Sequence, residues 1–242
     1  MGLALEVGML ADLIENDEEG AQWFRESLMA LNDVLTKAGL AAHVEPTETE
    51  VMSAAAYGYS SLHYLRRCAA HLHFNNQVPA LWPTEDPVHD PLLIQYGNAF
   101  IEENADAKVG EFARPSGRQF DHLIMHSDAE GFYVPQAFDR VLIASDQAFG
   151  WIGSSHALAA ECERVAKAIN LPPSLLANGE DQAFTRAIQA QSDRGGGLLK
   201  RLLKPKASEE EWEKHPIAAM LCAKLHTAAR HSIRTGAVLV FC

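Results

Sequence analysis

The chain has 242 residues, 48% hydrophobic and 21% charged, which is enough to bury a substantial core and too apolar for intrinsic disorder. Its formal charge of −12 opposes general binding to a phosphate backbone, and no run nears the roughly 18 apolar residues of a membrane span. The imbalance sits at the start: within residues 1–50 eleven acids face two bases, Arg25 and Lys37, a local charge of −9.

Leu3, Val7, Leu10 and Ile14 recur at helical spacing, as do Phe24, Leu28, Leu31 and Leu35, which predicts two amphipathic helices. Asp17-Glu18-Glu19 suits the start of the second and Gly39 its stop. Residues 1–40 thus read as an acidic helical hairpin packed on one principal domain spanning 1–242. Residues 40–58 read as loop. A third helix is predicted from Ser61 to about His73, with Leu62, Leu65, Ala69 and Leu72 on its buried face. Pro79, Pro83 and Pro87 make Asn75 to His89 irregular. Asp90-Pro91 is an N-cap followed by proline at the first helical position, opening a helix to about Glu103.

The period then changes. Phe120 to Ser127, Gly131 to Val134 and Arg140 to Ser145 are short, apolar and β-compatible, with Asp128 to Gly131 as a hairpin turn. Helices follow from Ser154 or Ser155 to before Leu171-Pro172-Pro173, and from about Glu180 to Ser192. Residues 193–207 form a basic hinge or surface segment, amphipathic from Gly197 to Lys206. Ser208-Glu209-Glu210-Glu211 has the pattern of a capping box, a helix continues past Pro216 to about Arg234, and Ala237 to Phe241 returns as a strand. The fold class is α+β: a small, mainly antiparallel sheet of about four strands, the C-terminal one included, covered by several helices.

Three polar constellations stand out. On a strand, His122, Ile124, His126 and Asp128 share one face, so His122, His126 and Asp128 are candidate ligands for a divalent transition metal. His122 and His126 would then lie about 13 Å apart, which favours His126 with Asp128 as a catalytic base and its orienter; the alternative is hydrogen bonding that holds the turn. Tyr59, His63, Arg66 and Arg67 surround the third helix; the arginines suit a carboxylate or phosphate, or ion pairs with the acidic hairpin. His226, Arg230, His231 and Arg234 sit where positive charge meets the negative end of a helix dipole.

The common motifs are absent. There is no G-x-G-x-x-G, no Gly-Lys-Ser or Gly-Lys-Thr and no H-E-x-x-H, and Leu62 breaks a nucleophile elbow at Gly58 to Leu62. Cys68, Cys162, Cys222 and Cys242 lack metal or redox spacing and read as scattered thiols of a reducing, cytoplasmic compartment. Two functions fit. The first is a non-catalytic binding protein whose acidic surface engages a basic protein partner, of adaptor or toxin-neutralising type, with no general nucleic-acid binding. The second is a metal-assisted hydrolase built around His126 and Asp128.

Overall fold

The structure is a computed structural model that describes residues 4–55, 60–80, 86–128, 130–144, 150–194 and 210–241. Among these, six strands form one sheet: β1 (Ala4–Val7), β2 (Met52–Ala55), β3 (Phe132–Val134), β4 (Leu142–Ala144), β5 (Gly150–Ser154) and β6 (Leu239–Phe241), in the order β2-β1-β6-β3-β5-β4. Neighbours run antiparallel except β3 and β5, which are parallel. The parallel pair arises because the chain leaves β3, skips to the sheet edge as β4, and returns between them as β5. The class is the helix-rich α+β fold expected, but the sheet is larger and mixed rather than four-stranded and mainly antiparallel.

Two layers of helix sandwich it. On one face lie α1 (Met9–Asn16) and α2 (Glu18–Lys37). They pack Leu10, Phe24, Leu28, Leu31 and Leu35 against Phe132, Val134, Leu142, Ile152 and Val240. Each such side chain, fully buried, contributes roughly 1.5–3 kcal/mol, so this stripe alone is enough to dock α2. On the other face lie α3 (Ser60–Asn75), α4 (Pro91–Glu103), α5 (Asp121–Ile124), α6 (Ser155–Ala168), α7 (Pro173–Leu176), α8 (Gln182–Arg194) and α9 (Pro216–Thr235). Leu5, Val7, Tyr133, Leu239 and Phe241 point into this second core. Along β3 and β6 successive residues alternate between the two cores, as the pleat requires.

Three segments depart from the sequence reading, each for a physical reason. Residues 4–7 are strand, not helix: Leu5 and Val7 alternate with Ala4 and Glu6, and Gly8, at φ +83°, turns the chain into α1. Strand β2, Met-Ser-Ala-Ala, has little β-propensity and was read as loop; it is a sheet edge held by register with β1. Phe120 to Ser127 is not a strand. Its backbone donors find side chains instead: Phe120 N–H donates to the Tyr96 hydroxyl at 3.0 Å, and His122 and Leu123 N–H donate to the Glu161 carboxyl at 3.3 and 2.7 Å. The result is the helical turn α5.

Other boundaries agree closely. Asp90 caps α4, accepting from Leu92 and Leu93 N–H at 2.9 and 3.4 Å, and Ser154 caps α6 through Ala157 N–H at 3.3 Å. Helix α9 ends at Gly236, φ +76°, and β6 enters the sheet between β1 and β3. The capping box near residue 210 uses Glu210 and Glu213; Ser208 and Glu209, like residues 195–207, lie outside the described residues.

Candidate functional site

Two of the polar constellations, distant in sequence, meet in space. Arg66 on α3 is buried and reaches under the turn after α5: Nε donates to the Leu123 carbonyl at 3.1 Å, Nη2 to the His126 carbonyl at 2.6 Å, and Nη1 to the Asp128 carboxylate. His63 Nε2 lies 3.4 Å from the other Asp128 oxygen. Burial raises the Asp128 carboxyl, but His63 and Arg66 outweigh it and hold the group far below the usual carboxylate range. Arg67 Nε donates to Asp90 at 2.8 Å, and His71 Nε2 lies 3.0 Å from the same oxygen. The arginines therefore pair with Asp128 and Asp90, not with the N-terminal hairpin. Tyr59 lies outside the described residues.

The histidines are placed differently from a catalytic pair. His126 is stacked on Tyr133, ring centroids 4.1 Å apart, with Nδ1 3.0 Å from the Ser127 carbonyl. It contributes its carbonyl, not its ring, to the arginine that holds Asp128. His122 Nδ1 accepts the Ser154 N–H at 3.0 Å. Burial pushes the two imidazoles down, His122 to about 4 and His126 to about 3, so both are neutral near pH 7. Among the described residues no three His, Cys, Asp or Glu side chains are grouped to hold a metal ion. At the end of α9, His231 Nε2 is bonded to the Glu50 carbonyl at 2.8 Å and Arg234 to the Glu50 carboxylate at 2.9 Å.

One residue of note escaped the sequence reading. Glu161 is buried, and burial pushes its carboxyl up to about 8. The available signal was an acid inside the apolar stripe of α6, between Leu158, Cys162 and Val165.

The α1–α2 layer is different in kind. Its outer surface carries Glu15, Asp17, Glu18, Glu19, Glu26 and Asp33, all exposed, with Asp12 half-buried. Elsewhere acids are commonly neutralised: Asp90, Glu103, Asp106, Asp121, Asp128, Glu180 and Glu50 each have an arginine or lysine partner. Among the described residues no base pairs with any of the seven acids of α1–α2. Apolar side chains stand among them: Trp23 is 67% exposed, Met29 62% and Ile14 40%. A surface of carboxylates without described ion pairs and with an exposed tryptophan offers both long-range attraction and an anchor for contact.

A family model, DNA-mimic_put, described as "Putative DNA-mimic protein", matches residues 1–241. The chain belongs to this family. No curated protein and no solved structure matches it. For a member of the DNA-mimic family, the expectation of an unspecified basic protein partner, of adaptor or toxin-neutralising type, is corrected. The family description points instead to proteins that bind DNA. Nucleic acid enters as the thing resembled, which an expectation framed only as whether the chain itself binds nucleic acid left out. No helix among the described residues is long and apolar enough to cross a membrane.

Proposed function

We propose that the α1–α2 face stands in for a stretch of duplex backbone, and that the protein acts by occupying the DNA site of a DNA-binding protein. The observation that carries this is the set of seven carboxylates on the α1–α2 segment, none with an ion pair among the described residues, against two exposed bases, Arg25 and Lys37. The spacing supports it. Glu19, Glu26 and Asp33 recur every seven residues, so they form a stripe that drifts only about 20° per step. Each step rises about 10.5 Å, close to the roughly 10 Å of three base-pair steps on one strand. Trp23 and Met29 beside the stripe give contact area that a phosphate backbone lacks, a route to affinity without matching the duplex charge for charge. The role is recognition rather than catalysis, in keeping with the family description.

The test is competitive elution. DNA-binding proteins retained on immobilised duplex DNA at fixed ionic strength are challenged with the wild-type chain, with a Glu19→Lys/Glu26→Lys/Asp33→Lys variant, and with an unrelated acidic protein of equal net charge. A discrete set of proteins released by the wild type, and by neither control, is the expected result. Release equal to that from the unrelated acidic protein would sink the reading.

A further inference from the structure

On the helical layer opposite α1–α2, a cleft of about 660 Å³ opens between the loop before α5, the residues leading into β4, and α6. Its lining holds Arg114, Arg118, Arg140 and Arg164, a third of the chain's twelve arginines, in a protein whose net charge is −12. Statistical scatter of charge does not favour that grouping, and the surroundings show it is built. Three of the four guanidinium groups lie over phenylalanine rings: Arg118 over Phe100 at 5.0 Å, Arg140 over Phe112 at 5.3 Å and Arg164 over Phe120 at 5.1 Å. A stacked guanidinium has its plane fixed and its N–H edge free to donate, so the ordering cost of binding is met in advance.

The hydrogen-bond ledger leaves donors over. Arg118 has a side chain 5% exposed; Nε donates to Asp121 at 3.0 Å and Nη1 to Glu103 at 2.7 Å. Its Nη2 is buried and has no partner among the described residues. Arg140 gives Nη1 to the Ala113 carbonyl at 2.9 Å, and Arg164 gives Nη2 to the Gln119 carbonyl. Each guanidinium has five donor hydrogens, so each keeps several unspent. The three acids of the lining offset this only in part. Asp121 is occupied by Arg118 and by the Tyr96 hydroxyl at 2.8 Å, Glu161, 3.9 Å from Arg164, is held protonated at neutral pH by burial, and Asp139 is exposed beside Arg140, so four guanidinium groups face two ionised carboxylates. The phenylalanine rings lie behind the guanidinium groups and are not among the lining residues, so the cleft offers forks for oxygen atoms and no face for stacking a base.

We propose that this cleft binds a compact multivalent oxyanion, a diphosphate or a polycarboxylate, through the N–H edges of Arg140 and Arg164, with the buried and unpartnered Arg118 Nη2 behind them. The site is separate from the α1–α2 face and stands or falls independently of it. Inorganic pyrophosphate and citrate share the required chemistry and distinguish its two sources.

The test is isothermal titration of the full chain at low ionic strength and pH 7 with each anion. One equivalent should bind, with a dissociation constant of about 1 mM or tighter. Arg140→Gln and Arg164→Gln should each weaken binding about tenfold or more, while losing a hydrogen bond and a ring contact should lower the melting temperature by only a few degrees, roughly 2–4 °C. Arg118→Lys, which keeps the charge and loses the fork, should also weaken it. Lys37→Gln, outside the cleft, should not. Tighter binding of pyrophosphate would assign the phosphate source and tighter binding of citrate the carboxylate source. No saturable heat with either anion, or wild-type binding by both Arg140→Gln and Arg164→Gln, would overturn the proposal; these two variants keep the test decisive should Arg118→Lys not fold.

Discussion

Stability between pH 6.5 and 5 is set by three buried groups whose effects oppose one another. In the unfolded chain His122 and His126 take up protons below about 6.5, while in the fold they stay neutral down to about 4 and about 3. The unfolded state then binds protons the folded state refuses, so stability falls as pH falls. Over 1.5 pH units this amounts to about 1–2 kcal/mol for each histidine, or about 3 for the pair, the unfolded imidazole being already half protonated at pH 6.5. Glu161 acts the other way. Its folded carboxyl keeps a proton up to about 8 while the unfolded one ionises above 4.5, so stability rises as pH falls, by about 2 kcal/mol across the same window. The net expectation is a maximum near pH 6.5 and a loss of about 1 kcal/mol by pH 5. His73 and His215, also pushed down by burial, act in the direction of the other histidines. Urea unfolding at each pH measures this directly. The Glu161→Gln variant keeps an acceptor for the Leu123 N–H and removes the opposing titration, so its loss should grow to about 3 kcal/mol. An identical pH slope in wild type and variant would refute the protonated Glu161. A flat profile in both would refute the neutral histidines.

Two further outcomes follow from the same structure. Arg66→Ala strips a buried charge from Asp128 and leaves the Leu123 and His126 carbonyls without their donor, so a loss of about 3–5 kcal/mol is expected; a denaturant midpoint within 0.5 kcal/mol of wild type, on the scale of a surface change, would show that the turn after α5 is held by something else. The salt dependence of partner binding should be shallower than that of the same partner for duplex DNA, because duplex carries a charge about every 1.7 Å and releases condensed counterions, whereas the α2 stripe is several times sparser. Fluorescence anisotropy competition at 50 and 200 mM salt, the range over which DNA binding commonly collapses, reads this out, and an equal or steeper slope for the protein would contradict it.

Helices with one clean stripe and a good cap were legible from sequence, and the rest was not, for reasons visible in particular residues. Asp90 and Ser154 placed α4 and α6, because a cap acts within three residues. Val7 falls in a 3.6-residue repeat with Leu3, Leu10 and Ile14, which hides its strand alternation with Leu5. The stretch from Phe120 to Ser127 reads as strand by composition, and only the distant Tyr96, Glu161 and Arg66 make it a helical turn. The polar residues near positions 63–67 and 122–128 were each found, yet their meeting depends on contacts about sixty residues apart that spacing does not encode. The cleft arginines, spread from 114 to 164, left no local pattern at all.

The acidic hairpin was visible at once, and the structure changes what its charge means. Some of its acids serve the fold: Asp17 accepts the Gly20 N–H at 3.0 Å, and Glu18 and Glu19 sit at the positive end of the α2 dipole. Glu26 and Asp33 have less of one: Glu26 accepts from the Gln22 side-chain amide at 3.2 Å, and Asp33 stands one turn before Lys37. They lie beyond the first turn, Asp33 toward the negative end of the dipole, where a lysine would be favoured. An exposed helix face that served only stability would alternate charge at i, i+4 and gain a few tenths of a kcal/mol per pair. This face makes one such placement, Asp33 with Lys37, and otherwise forgoes the gain, keeping Trp23 and Met29 in water beside its carboxylates. Across the sheet the same chain spends Arg66, Arg67, Lys224 and Arg234 on its own carbonyls and carboxylates. The α1–α2 face thus carries a block of the negative surplus without ion pairs, where the fold needs it least, and recognition by a protein built to grip phosphates is the use proposed for it.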